Sequence, residues 1–152
     1  MNVVVAGGTG FLGADMVREL MDAGHSVAVL GRSKPVRGPA ASAAWIEGDV
    51  RKPETLRGKL AGYEAVVDAV QFPNSPIENP KKGYTFAEVD LAGTKNLVDA
   101  AREGGVGHFI NISGVGAASD GRYHWLRYKW DEEQHTIASG VPYTIFRGSW
   151  VY

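Results

Sequence analysis

The chain opens Met1-Asn2-Val3-Val4-Val5-Ala6-Gly7-Gly8-Thr9-Gly10-Phe11-Leu12-Gly13, and this stretch decides its fold. The apolar run from Val3 to Ala6 reads as a buried strand. Behind it, Phe11, Leu12, Met16, Val17, Leu20 and Met21 form the apolar side of an amphipathic helix. Gly7, Gly10 and Gly13 carry the turn between them. Strand, glycine turn and helix in that order make an anion cradle. Glycine lets the backbone approach a pyrophosphate with no Cβ in the way. The helix start adds unpaired N–H groups and the positive end of its dipole. The plainer reading is an ordinary tight turn between strand and helix. Its place directly after a strand and before a helix favours dinucleotide binding, with Gly7, Thr9, Gly10, Phe11, Leu12 and Gly13 as the contact residues.

Outward from this turn the chain alternates strand and helix. Gly24 stops the first helix, and Ser26 to Leu30 is a second apolar strand. Gly31 to Ala44 reads mostly as loop and carries Arg32, Lys34 and Arg37. A third strand runs from Trp45 to Val50, and Pro53 opens a short helix to about Leu60. Glu64 to Val70 is the fourth strand, followed by a loop containing Pro73, Pro76 and Pro80. The longest helix spans Tyr84 to Glu103, with Phe86, Val89, Gly93, Leu97, Ala100 and Ala101 on its apolar face. His108 to Ser113 is the fifth strand. A helix from Tyr123 to Ser139 and a sixth strand from Tyr143 to Arg147 complete the chain. Apolar strands alternating with helices imply an α/β fold, a doubly wound Rossmann-type parallel sheet of about six strands with helices on both faces. Such sheets bind ligands at the carboxyl ends of their strands.

Composition is that of one domain, taken as 1–152, with 44% hydrophobic and 22% charged residues. A net charge of −1 gives no electrostatic reason to bind nucleic acid or a membrane surface. No cysteine is present, so a disulfide framework, a thiolate nucleophile and a cysteine metal site are all excluded. His25, His108, His124 and His135 lack the spacing of a metal site, and none is expected. No apolar run approaches the ~20 residues that span a bilayer. No secretory leader pattern opens the chain, and a cytoplasmic protein is expected.

Four stretches together resemble the atypical or extended branch of the short-chain dehydrogenase/reductase superfamily, which includes epimerase/dehydratase-like enzymes. The first is the glycine turn Gly7 to Gly13. The second is Val89-Asp90-Leu91-Ala92-Gly93-Thr94-Lys95-Asn96-Leu97-Val98-Asp99-Ala100-Ala101. Gly105 to Ser113 and Gly140 to Gly148 are the third and fourth. The resemblance implies an NAD(P)-binding domain. An acidic residue about 20 positions past the glycine turn would bind the ribose 2′-hydroxyl of NAD. Here that place is Leu30-Gly31-Arg32-Ser33-Lys34, with no carboxylate. Arg32 suits a 2′-phosphate, with Lys34 or Arg37 assisting, so NADP(H) is favoured over NAD(H). The resemblance also implies adenine contacts from Asp49 and Val50, and ribose contacts from Ala69 and Val70. Asp49 reads equally as a cap for the helix near Pro53.

Active members of the family place a tyrosine four residues before a lysine, on one helix face. The lysine lowers the phenol pKa and holds the nicotinamide ribose. The matching lysine is Lys129, but Trp125 stands at the tyrosine position. Tyr123 with Arg127 is a shifted alternative. Ser113 matches the family's strand-end serine, and with Lys129 it forms the candidate catalytic set. Asp131-Glu132-Glu133 reads as a solvated helix face. The family continues into a C-terminal substrate region that this chain lacks. A longer parent protein, a partner subunit, or an absence of turnover would each account for that. The small-molecule substrate is therefore unassigned, and an uncovered edge strand would favour a homo-oligomer. A reductase, dehydrogenase or epimerase/dehydratase-like parent is one reading. A non-catalytic dinucleotide sensor or assembly factor is the other.

Overall fold

A computed structural model describes residues 1–149. The aromatic ending Trp150-Val151-Tyr152 lies outside the described residues. Six parallel strands form one sheet in the order β3-β2-β1-β4-β5-β6. They are β1 (Asn2–Ala6), β2 (Ser26–Gly31), β3 (Ala44–Glu47), β4 (Ala65–Asp68), β5 (His108–Gly114) and β6 (Tyr143–Gly148). The helices are α1 (Phe11–Asp22), α2 (Pro39–Ser42), α3 (Ala92–Glu103) and α4 (His124–Ala138). The strand order reverses between β1 and β4. In a sheet of this kind a crevice opens at that point, outside the strands' carboxyl ends.

Side chains alternate across the strands, so β1 feeds two cores. Val3 and Val5 join Val17, Val27, Val29 and Val67 on the α1 side. Val4 and Ala6 join Leu30, Leu56, Leu97, Val98 and Phe109 on the α3 side. Strands covered on both faces are apolar throughout, as Val3 to Ala6 is.

Four expected boundaries move by two residues or more. The fourth strand ends at Asp68 rather than Val70, whose amide donates back to Asp68 Oδ1 at 3.1 Å. The third strand ends at Glu47 rather than Val50. Past Gly48 the backbone leaves the ladder: the Asp49 amide donates to Thr55 Oγ1 at 2.9 Å, and Asp49 Oδ1 accepts from the Arg51 amide at 3.0 Å. The helix expected from Pro53 to Leu60 is a single 3₁₀ turn, Pro53–Thr55. Gly58, at φ +70°, takes a left-handed conformation that no continuing helix allows. The long helix begins at Phe86 rather than Tyr84. Its first six residues, Phe86–Leu91, are a π-helix that runs into α3. Thr85 caps it, Oγ1 accepting from the Glu88 amide.

Candidate dinucleotide site

The three turn glycines answer to different requirements. Gly7 has φ +79°, and a Cβ there would lie 2.4 Å from the Ala69 carbonyl oxygen. A Cβ on Gly13 would lie 2.2 Å from the Gly7 carbonyl oxygen. The close packing of β1, the turn and α1 therefore demands both. Gly10 differs. Its φ is −76°, open to any residue, and a Cβ would meet only the Gly7 oxygen, at 3.2 Å. The fold needs this glycine least, so its missing side chain chiefly leaves room in front of α1. No side chain caps α1 and no acidic residue stands in its first turn. Its leading N–H groups and dipole are thus left for an anion. The cradle fits a pyrophosphate.

From Gly7 and Thr9 a cleft runs past the carboxyl ends of β2 and β3, where Arg32, Asp49 and Val50 line it. Val70, Phe72 and Tyr84 form its other side. The sequence-derived residues Gly7, Thr9, Arg32, Asp49, Val50 and Val70 are thus brought together. Ala69 is not in the lining, because its carbonyl packs against Gly7. Gly10, Phe11, Leu12 and Gly13 form the cap and first turn of α1, with Phe11 exposed. Lys34 and Arg37 are exposed and stay out of the lining.

Charge in the cleft is unevenly matched. Asp49 holds Arg51 through two contacts, Oδ2 to Nη2 at 2.6 Å and Oδ1 to Nε at 3.0 Å. The Arg51 guanidinium thereby keeps the Asp49 carboxyl below its ordinary range, burial opposing it. Asp49 therefore caps the Arg51 turn, and it does not cap the turn at Pro53, where Lys52 is the N-cap. Arg32 pairs with no carboxylate among the described residues. Its Nη1 donates to the Tyr84 hydroxyl at 3.1 Å.

The candidate catalytic residues are committed elsewhere. Lys129 does not reach the cleft lining. It is mostly buried, its Nζ 3.0 Å from Glu132 Oε1 and 3.4 Å from Asp90 Oδ1. Burial would lower this lysine's pKa, but the charges of Glu132 and Asp90 outweigh burial and raise it. Burial pushes the Asp90 carboxyl up to about 6 and that of Glu132 to about 8. Asp68, also raised by burial, accepts from Thr94 Oγ1 at 2.7 Å. Ser113 is buried and donates to Glu133 Oε1 at 2.5 Å. Arg147 clasps the same carboxylate through Nε and Nη2, at 3.0 and 2.6 Å.

Trp125 does occupy the helix face one turn before Lys129, stacked on Phe86 with centroids 6.2 Å apart. The shifted pair is not made. Tyr123 is the extended N-cap of α4 and stacks on Trp125, while Arg127 donates to the Gly121 carbonyl at 2.6 Å. The acidic run is not a solvated face either. Asp131 is exposed, but Glu132 and Glu133 are 0% and 2% exposed. Lys129, Ser113 and Arg147 supply the partners that make burial of those carboxylates tolerable.

Sequence reasoning missed Arg51, Tyr84, Asp90, Glu132 and Glu133. A signal existed for Asp90, which shares helical spacing with the apolar Phe86, Gly93 and Leu97. Arg51 and Tyr84 meet only through folding.

Residues 7–152 match the model of the NAD(P)H-binding family. The chain belongs to that family. It is 32% identical over 151 residues to the photosystem II assembly factor Ycf39 of Synechocystis, covering 97% of this chain and 44% of that protein. It is 30% identical over 145 residues to an NAD(P)H azoreductase of Xenophilus azovorans, covering 94% and 46%. The fold also matches the UDP-N-acetylglucosamine 4-epimerase of Bacillus cereus, with a TM-score of 0.76 at 22% identity, over 97% of this chain and 55% of that one. The chain thus spans less than half the length of these two curated relatives. It is an NAD(P)-binding domain of the atypical short-chain dehydrogenase/reductase type. Among the described residues, no helix is long and apolar enough to cross a membrane, and no acidic or histidine group could hold a metal.

Proposed function

We propose that the chain binds NADP(H) in preference to NAD(H), in a reducing, cytoplasmic setting. The pyrophosphate sits on the glycine turn and the first turn of α1, from Gly7 to Gly13. Asp49, Val50 and Val70 flank the adenosine, and Arg32 receives the 2′-phosphate. One observation carries the preference. Arg32 is a guanidinium in the cleft with no carboxylate of its own, at the sheet position where an NAD-binding site would place an acid. The test is calorimetric titration of the purified protein with NADPH and NADH. Tighter NADPH binding is expected, and equal affinities would overturn the preference.

Bound NADP(H) supplies hydride at the nicotinamide C4. Residues in this chain would orient it within a reductase or an epimerase/dehydratase-like parent, where Lys129 and Ser113 would have to leave the carboxylates that hold them. A second reading is favoured by a specific arrangement. Trp125 replaces the proton-transferring tyrosine, Lys129 is held by Asp90 and Glu132, and Ser113 is held by Glu133. That set suits a dinucleotide sensor or assembly factor that binds without turnover. Carbonyl-dependent oxidation of NADPH by the protein would decide for the enzyme. Binding without any such oxidation would decide for the sensor.

A further inference from the structure

Tyr84 lies between two arginines at the cleft. Its hydroxyl accepts from Arg32 Nη1 at 3.1 Å, and the Arg32 and Arg51 guanidinium carbons lie 5.3 and 5.6 Å from its ring centroid. The arrangement is anchored from below. Asp49 fixes Arg51, whose Nη1 donates to the carbonyls of Lys82 and Gly83 at 3.0 and 3.3 Å. Those two residues lead directly into Tyr84. The Tyr84 backbone is pinned in turn by a bridge to Asn79, through bonds of 2.8 and 3.1 Å.

An exposed arginine ordinarily samples many rotamers, and that freedom is lost when it grips a ligand. Here one of its five donors is already engaged, by a neutral hydroxyl on a fixed residue. The others remain for an anion. Because the partner is a phenol rather than a carboxylate, Arg32 is oriented without its charge being cancelled.

On the NADP(H)-preferring reading above, we infer that Tyr84 is a specificity-determining residue, orienting Arg32 to receive a 2′-phosphate. It is a positioning residue and acts through Arg32. The relay Asp49–Arg51–Tyr84–Arg32 links the loop after β3 to the loop after β4, so both sides of the cleft set this one guanidinium.

The experiment is a double-mutant cycle read by calorimetric titration with NADPH and NADH, on the protein and on Tyr84→Phe, Arg32→Ala and the double variant. Tyr84→Phe keeps the ring and removes only the hydroxyl. It is expected to weaken NADPH binding about threefold to tenfold while leaving NADH unchanged. In the Arg32→Ala background the same change is expected to have no effect. A Tyr84→Phe variant that binds NADPH equally or more tightly, or loses both cofactors alike, would overturn the inference while Arg32→Ala still weakened NADPH. So would a full Tyr84→Phe effect persisting without Arg32. If Arg32→Ala leaves NADPH affinity intact, the 2′-phosphate reading fails and takes this inference with it.

Discussion

Lys129 directs its ammonium to Glu132, 3.0 Å away and one turn further along α4, with Asp90 at 3.4 Å completing the enclosure. One cation among buried carboxylates cannot balance them all. Asp90 Oδ2 and Glu132 Oε2 have no hydrogen-bond partner among the described residues. The charge excess is relieved by protonation, which makes stability depend on pH.

The sign follows from linkage. Burial raises the Glu132 pKa from 4.5 to about 8 and that of Asp90 from 3.8 to about 6, so the folded state holds these protons more tightly than the unfolded chain. Their contribution is full below the unfolded pKa values and is lost as pH rises through the folded ones. The melting temperature is expected to fall between pH 5 and 9 as these groups ionise, by roughly several degrees. Glu132→Gln should flatten that decline. Thermal melts across this range check it, and an unchanged slope in the variant would contradict it.

Glu133 ties three elements together, since its carboxylate accepts from Ser113 on β5 and Arg147 on β6. Glu133→Ala should destabilise the fold by about 2–3 kcal/mol, leaving Ser113 unpaired in the interior. At this chain length that is roughly 4–12 °C in melting temperature. Ser113→Ala should cost far less, about 1 kcal/mol, because Arg147 still answers the carboxylate. Denaturant unfolding of both variants checks the ranking, and equal losses would contradict it.

Gly10→Val should leave the fold near its original stability, since Gly10 has an ordinary φ and its Cβ meets only one carbonyl. It should nonetheless remove detectable cofactor binding by filling the space before α1. Gly13→Val, by contrast, should not fold, its Cβ falling 2.2 Å from the Gly7 oxygen. Titration together with circular dichroism separates the two cases. Retained NADPH affinity in a folded Gly10→Val protein would contradict the cradle.

Much of this was legible in the sequence, for physical reasons. The two-sided burial of Val3 to Ala6 makes an uninterrupted apolar run, and glycine is the residue that a left-handed turn tolerates. Parallel pairing and a cleft at the strands' carboxyl ends follow from the alternation of elements. The sequence pattern carries the third strand on to Val50, while the Asp49 hydrogen bonds that follow its end at Glu47 are local turn chemistry. Glu132 and Glu133 look solvated in a linear reading. What buries them is Ser113 and Arg147 across the sheet and Lys129 one turn back. Tyr84 and Arg32 are 52 positions apart, and no spacing rule joins them.

The most direct test of the central claim is the effect of Arg32→Ala on the two cofactors, measured by calorimetric titration side by side. The cleft geometry predicts NADPH affinity falling about tenfold to a hundredfold, with NADH affinity changing less than about twofold. Equal losses for both cofactors, or no loss for either, would contradict it.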